Sequence, residues 1–231
     1  MRRLLSFVGA VLIVMTVAAG HTANAQTPPS ASEIAAYRGL HAAAANGDLA
    51  ALRAVLRQGA DLEVRDGHGR TALHIAAHGG HRDLVRELGK AGAVMTAQDS
   101  RRYDIITIAA VRDDAEMVRL AVSLGSDSKA ITSPYDGTAL IAAAHLGHAD
   151  VVKALIAAKA PLDHVNNLGW TAVIEAVILG DGGRRHQETL KALVDAGANT
   201  RLADRAGITP LEHAKSRGFT AMVETLQTAR R

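Results

Sequence analysis

The sequence predicts an all-α solenoid of about six helix-turn-helix repeats joined by short finger turns. The main observation is a period of 33 residues, since a fixed period of this length marks stacked structural repeats. Residues at corresponding positions of successive repeats form a column when the repeats are aligned. Two such columns show the period: Leu40, Leu73 and Ile106, and Gly59, Gly92 and Gly125. A second observation is that aromatic residues make up only 3% of the chain. Thin helical layers rich in alanine and leucine are therefore expected, and a single bulky core is not.

The repeat is clearest in the stretch from Gly69 to His81. Its segment Thr-Ala-Leu-His-Ile-Ala, starting at Thr71, resembles the ankyrin signature Thr-Pro-Leu-His-x-Ala, and the segment from Asp204 to Leu211 resembles it more closely still. The resemblance covers about residues 33–228 and implies an ankyrin-repeat domain. It says little about function, because one fold carries many functions.

The first 25 residues have the features of a bacterial signal peptide. Arg2 and Arg3 give a positive start, and the run from Leu4 to Ala19 is mostly apolar but too short to span a membrane comfortably. Small residues up to Ala25 then suit a signal peptidase. We expect cleavage between Ala25 and Gln26 and a periplasmic or secreted mature protein with no stable membrane insertion. An uncleaved anchor is the alternative.

The mature chain is expected to consist of a linker and one repeat domain. Residues 26–32 contain two prolines and are predicted to form a flexible linker. The domain, residues 33–231, divides into repeats at about 33–66, 67–99, 100–128, 129–163, 164–200 and 201–231.

Local signals mark the helices within the repeats. Asn46-Gly47 is expected to end the first helix of repeat one. Thr71 should cap the first helix of repeat two, and Asp104 can do the same in repeat three. The resemblance implies that His74 ties the turn to the helix by a hydrogen bond.

Three positions depart from the pattern. Gly89 occupies the column of Leu56 and Val122, so repeat two is predicted to lack a core side chain there. Lys159 replaces the usual turn glycine, and we expect its turn to differ. The segment from Asp181 to Arg185 is inserted between the two helices of repeat five and is predicted to be a mobile, dispensable loop.

Charge and cysteine content exclude some functions. The formal charge is +3, and removing Arg2 and Arg3 with the leader leaves +1, so no nucleic-acid partner is expected. The chain has no cysteine. An exported protein of this kind is stabilised by packing and avoids mispaired disulfides.

Catalytic and metal sites are not predicted. His74 and His78 share a helix face at a spacing that can bind zinc, but the resemblance gives His74 a structural role, and no glutamate follows it. Asp113 and Asp114 form a carboxylate pair, but Asp114 falls where a helix begins and an acid is stabilised by the helix dipole. We therefore expect no enzyme activity and no cofactor. A small-ligand or metal sensor using surface histidines, or an enzyme with an unrecognised site, stays open.

One set of residues indicates a partner-binding site along the fingers. Arg70, Tyr103 and Trp170 share a column with Ile208, and Tyr135 lies two places earlier. Tyr, Trp and Arg dominate binding hot spots. We expect these four, Arg70, Tyr103, Tyr135 and Trp170, to bind a protein partner, with packing of Trp170 on its neighbouring finger as the alternative.

Taken with the leader, these observations predict a non-catalytic protein-protein interaction module exported to the bacterial periplasm. It would act as a monomer and bind, inhibit or protect a partner protein that the sequence does not name.

Overall fold

A computed structural model describes residues 26–229 and confirms the all-α solenoid. The described residues form thirteen helices and no strand. The helices are α1 (Ala31–Ala36), α2 (Gly39–Asn46), α3 (Leu49–Arg57), α4 (Ala72–Gly79), α5 (Arg82–Lys90), α6 (Ile105–Val111), α7 (Ala115–Ser123), α8 (Ala139–His145), α9 (Ala149–Ala157), α10 (Ala172–Ile178), α11 (Arg184–Asp195), α12 (Pro210–Ser216) and α13 (Thr220–Thr228). The predicted signal peptide lies outside the described residues. Within them, no helix has the length and apolar character needed to cross a membrane.

The helices stack in two layers. Each repeat pairs an inner helix with an outer one, from α2 with α3 to α12 with α13. Inner helices contact inner helices of the next repeat, and outer helices contact outer ones. The leucine column of the sequence forms the inner layer of the core: Leu40, Leu73, Ile106, Leu140, Val173 and Leu211 are all buried. Burying this apolar surface is what holds one repeat to the next.

The predicted helix signals at Gly47 and Asp104 are confirmed, and Thr71 stands at the N-cap position of α4. Gly47 ends α2 in the left-handed conformation, with φ of 66°. The Asp104 carboxylate caps α6 by accepting from the Thr107 amide at 2.8 Å. At the start of α4, the amide of Thr71 donates to His74 Nδ1 at 3.2 Å. His74 Nδ1 is therefore the acceptor, so Nε2 carries the proton and donates to the carbonyl of Ala97 at 3.0 Å.

The expectation that the turn at Lys159 differs is wrong. Lys159 adopts a φ of 62°, in the same left-handed region as Gly59 and Gly92. The hydrogen bond that closes the turn, from the Ala160 amide to the Leu155 carbonyl, is 3.0 Å long. The fold imposes the turn on this residue, although a lysine is strained there and a glycine is not.

The insertion in repeat five is not a free loop, which corrects the prediction. Arg184 and Arg185 form the start of α11, which has 12 residues where α9 has 9. The Asp181 carboxylate accepts from the Gly183 amide at 2.8 Å and so fixes the turn before the helix. Arg185 pairs with Asp113, which lies two repeats away, at 2.8 Å. Whether the segment is dispensable stays a prediction.

Two further expectations change. The predicted linker is partly helical, since Ser30 caps α1 through a hydrogen bond from the Glu33 amide.

The space beside Gly89 is already occupied. A Cβ atom placed there would lie 3.0 Å from Leu124 Cδ1 and 3.2 Å from Met95 Sδ. Neighbouring side chains have thus filled the place of the missing one.

Candidate partner-binding surface

The finger turns are short hairpin-like segments before the inner helices. Fingers two to six are residues 61–70, 94–103, 127–137, 161–170 and 199–208. Finger two is closed by a 3.0 Å hydrogen bond from the Asp66 amide to the Arg70 carbonyl, and fingers three, five and six have the equivalent bond. In finger four the bond runs from Thr132 to Gly137 and spans one more residue. The single-residue slip in the 33-residue period is therefore located in this finger, which carries Tyr135.

Hydrogen bonds tie neighbouring fingers together. The Ser100 amide donates to the His68 carbonyl at 3.0 Å, and the Asn167 amide donates to the Tyr135 carbonyl at 2.9 Å. Side chains add to this, since Gln98 Nε2 donates to the Ile131 carbonyl at 3.0 Å. The edge is thus held by its neighbours, and little conformational entropy would be lost when a partner binds it.

The four predicted site residues do not share one surface. Tyr135 is 54% exposed and Trp170 is half-buried. Arg70 is fully buried and Tyr103 is only 2% exposed. The expectation that Arg70 and Tyr103 lie open on the finger edge is therefore wrong. Sequence spacing assigned these residues to a finger, but it could not show that both side chains turn inward.

The buried Arg70 guanidinium is bonded by residues that precede α2 as well as by its own finger. Its Nε donates to the Asp66 carboxylate at 2.7 Å, and its Nη1 donates to the carbonyl of Thr27 at 2.7 Å. Nη2 contacts the Glu33 carboxylate and the Tyr37 hydroxyl, the latter at 3.0 Å. All three nitrogens of the guanidinium thus have partners, so the buried charge is compensated.

The contacts in this cluster fix the protonation states of Asp66 and Tyr37. Burial would raise the pKa of Asp66, but hydrogen bonds from the Tyr37 hydroxyl and from Arg70 outweigh burial and lower the pKa to about 2. Tyr37 donates to Asp66 at 2.6 Å, and burial together with this bond raises the pKa of Tyr37. Asp66 is therefore an anion and Tyr37 a neutral donor over the physiological range.

An exposed apolar surface lies on fingers four and five, and we call it the finger patch. It consists of Ile131, Tyr135, Val165 and Leu168, which are 42%, 54%, 49% and 40% exposed. Ile131 and Val165 occupy one column of adjacent fingers, and Tyr135 and Leu168 occupy another. Sequence analysis singled out only Tyr135. The signal that could have found the others is the change of residue type along each column.

That change is sharp. Arg65 and Gln98 stand in the column of Ile131, and His68 and Arg101 stand in the column of Tyr135. In finger six both columns hold alanine. In these two columns, large apolar side chains are therefore confined to fingers four and five and are not a general property of the repeat.

Several histidines are held by local bonds. His74 and His78, the pair with zinc-binding spacing, are both buried, but His78 Nε2 has no hydrogen-bond partner within the described part of the chain. His145 Nδ1 lies 3.0 Å from the buried carboxylate of Glu175, which also accepts from Asn166 Nδ2 at 2.8 Å. Among residues 26–229, no three His, Asp or Glu side chains are grouped so that they could hold a metal ion.

Comparison with known proteins gives a consistent result. A family model described as ankyrin repeats matches in three overlapping copies, at residues 16–99, 40–131 and 106–204. The putative ankyrin repeat protein YahD of Escherichia coli (strain K12) is 32% identical over 188 residues, covering 81% of this chain and 93% of that protein.

Two further matches bear on fold and activity. The crystal structure of an ankyrin repeat domain from Acinetobacter baumannii AYE is 41% identical, with a TM-score of 0.79, covering 83% of this chain and 97% of that one. An L-asparaginase of Dirofilaria immitis is 30% identical over 181 residues. That match covers 78% of this chain but only 30% of the L-asparaginase, so it relates this chain to a minor part of that protein.

Proposed function

Because this chain belongs to the ankyrin-repeat family, a protein-protein interaction fold, we propose that it is a non-catalytic binding module of the bacterial periplasm. It binds, inhibits or protects one partner protein, acts as a monomer, and contacts that partner through the finger patch.

The observation that carries this proposal is the exposure of the finger patch. Four large apolar side chains stand on two adjacent fingers, whereas scattered single residues would need no explanation. The fingers are hydrogen bonded to one another, so the patch is a preformed surface. A rigid apolar and aromatic patch is the arrangement that supplies hot-spot energy in protein interfaces.

Export is supported by the residues before Gln26: a positive start, a short apolar run and small residues ending at Ala25. Intact-mass analysis of the protein recovered from a periplasmic fraction tests this. A chain starting at Gln26 is expected. Retention of the leader, or recovery only from the cytoplasm, would contradict the proposal.

The binding surface is tested by affinity capture from a periplasmic extract. Leu168→Ser combined with Tyr135→Ser should reduce capture of the partner at least about tenfold, since hot-spot truncations typically cost about 2 kcal/mol or more. Val64→Ser is the matched control, because Val64 is 50% exposed but lies on finger two, outside the patch. Equal capture by both variants would show that the partner binds elsewhere.

Trp170 separates binding from packing. Trp170→Ala is compared with Lys153→Ala, a change on the exposed face of α9, and both variants are checked for their melting temperature. If Trp170→Ala lowers stability yet leaves capture intact, the tryptophan only packs against the solenoid. Lower capture at unchanged melting would place it in the interface.

A further inference from the structure

The segment before α2, residues 26–36, is a polar attachment to finger two, and we call it the N-terminal arm. It contains α1, a helix of 6 residues in which no residue is buried. Two of its groups contact the Arg70 guanidinium: the Thr27 carbonyl at 2.7 Å and the Glu33 carboxylate. The Glu33 carboxylate also lies 3.3 Å from His68 Nε2.

Such an arm can open without unfolding the solenoid. A helix of this length is not stable alone in water, so α1 depends on its docking contacts. Those contacts are mainly polar and converge on one side chain, whereas each repeat is held to its neighbours by a continuous apolar core. Local opening of termini costs far less than global unfolding.

Opening the arm would leave a preorganised site. Arg70 Nε would stay bonded to Asp66 at 2.7 Å, which holds the guanidinium in place. Nη1 and Nη2 would lose the Thr27 carbonyl and the Glu33 carboxylate. A guanidinium fork of this kind matches a carboxylate and an adjacent carbonyl, which are groups that any acidic peptide carries.

We propose that Arg70 is a binding site for an acidic peptide segment of a partner protein, and that Glu33 occupies this site in the free protein. The inference rests on the proposed function only in assigning the segment to a protein partner. The arm then acts as a competitor in cis, and a partner gains access by displacing it.

The surrounding charges fit an acidic segment. His68 stands beside the Glu33 carboxylate. Arg101 takes the same column on finger three, is exposed, and has no ion pair or side-chain hydrogen bond among the described residues. Asp99, the acid nearest to it in sequence, is engaged by the amides of Arg101 and Tyr103 at 2.8 and 2.9 Å.

The test uses the chain with the single change Glu33→Gln, which removes the charge of the competitor and keeps its size. The probe is a synthetic peptide with the sequence of residues 26–36 and both ends blocked, so that its one carboxylate is the glutamate. The control peptide has glutamine at that position. Binding is followed by ¹⁵N NMR through the Arg70 Nε signal and the finger-two amides.

We expect the glutamate peptide to shift these signals in the Glu33→Gln chain. The glutamine peptide should bind at least about tenfold more weakly, since it loses a charge-assisted hydrogen bond. The unchanged chain should also bind the glutamate peptide at least about tenfold more weakly, because its tethered arm competes at a high effective concentration. Equal binding of the two peptides, or of the two chains, would overturn the proposal.

Hydrogen exchange gives a second, independent measurement on the unchanged protein. The amides of Ile34 and Tyr37, which donate to carbonyls of the arm at 2.9 and 3.0 Å, should exchange at least about tenfold faster than those of α4. If they are protected as well as α4, the arm is a fixed cap and the proposal fails. Neither measurement involves the finger patch, so a failure here leaves the capture experiments on fingers four and five unaffected.

Discussion

Fingers two and three differ from fingers four and five, although the same fold builds all four. On the first pair, polar side chains bond the neighbouring backbone: Arg65 Nη1 donates to the Gln98 carbonyl at 2.6 Å, and Gln98 Nε2 donates to the Ile131 carbonyl at 3.0 Å. On the second pair, Ile131 and Val165 occupy the same column and cannot make such bonds. Their side chains remain exposed.

Under the proposed function, the two pairs of fingers separate stability from recognition. The side chain at this position of the finger can bond the next finger, as Arg65 and Gln98 do, or it can be apolar and exposed, as at Ile131 and Val165. The backbone bonds between fingers persist in both halves, since the Asn167 amide still donates to the Tyr135 carbonyl. In the second pair of fingers other positions supply the polar links, since His164 Nε2 lies 2.6 Å from the Asp136 carbonyl and Asn167 Nδ2 donates to the Pro134 carbonyl at 3.2 Å. The two apolar columns are therefore not needed to join these fingers.

The largest expected effect is at Arg70, compared with its column-mate Trp170. Arg70→Met keeps much of the packing but removes the charge, and it should lower the free energy of unfolding by about 3 kcal/mol, because the buried Asp66 carboxylate loses its counterion. Trp170→Ala, at a half-buried site, should cost about 1 kcal/mol. Urea denaturation measures both.

Equal losses at the two positions would break the comparison, because they would mean that the charge cluster adds nothing beyond packing. Arg101→Ala is the control for loss of a positive charge on a finger. It should change stability by less than about 0.5 kcal/mol, since Arg101 is exposed.

The next effect is a pH dependence confined to the first half. Burial, then the positive charges of Arg70, His74 and Arg112, lower the pKa of His78 from 6.5 to about 4, with Asp66 opposing. In the unfolded chain the ring takes up a proton near pH 6.5, but in the folded protein it does so only near pH 4. Stability should therefore fall as the pH falls through this window, by about 2 kcal/mol.

His78→Leu should reduce the slope of the stability profile between pH 6.5 and pH 4 without abolishing it, because burial also lowers the pKa of His74. Hydrogen exchange at the two pH values should show α4 losing protection while α10 keeps it. A profile unchanged by His78→Leu would show that another group controls the acid response.

Sequence reasoning succeeded where periodicity decides the structure. The buried column from Leu40 to Leu211 and the caps at Gly47 and Asp104 follow from spacing and residue type alone. It failed where a contact comes from outside the repeat. Arg70 was expected at the surface because its burial depends on Glu33 and Thr27, which belong to no repeat signature.

The finger patch was only partly predictable for a related reason. Aromatic residues stood out in a chain with few of them, so Tyr135 was found. Ile131, Val165 and Leu168 look like core residues in sequence, and only the structure shows that their side chains face solvent. The insertion was misread because Arg184 and Arg185 extend a helix that begins earlier than in the other repeats.

A smaller effect, in the second half, tests whether the fold or the residue sets the turn after an outer helix. Lys159 has a φ of 62°, a conformation that costs a residue with a Cβ about 1–2 kcal/mol. Lys159→Gly should therefore raise the free energy of unfolding by about 1 kcal/mol, less the entropy that glycine loses on folding. Urea denaturation measures the change. The control is Lys153→Gly, in the interior of α9, which should lower the free energy of unfolding. A loss of stability at position 159 would mean that the lysine side chain makes a contact worth more than the strain.

The smallest effect is at Gly89, near the end of the outer helix of repeat two. Helix propensity alone favours alanine over glycine by about 1 kcal/mol. A new Cβ, however, would lie 3.0 Å from Leu124 Cδ1 and 3.2 Å from Met95 Sδ, closer than ordinary contact, so both side chains must move. The two terms nearly cancel, and Gly89→Ala should change the free energy of unfolding by less than about 0.5 kcal/mol.

The control is the same substitution in a Leu124→Ala background, where the nearest obstacle is removed. There, Gly89→Ala should raise the free energy of unfolding above that of Leu124→Ala alone, because part of the helix-propensity gain is recovered. If Gly89→Ala is equally neutral in both backgrounds, Leu124 does not limit the site, and the space beside Gly89 is not what distinguishes this repeat from its neighbours.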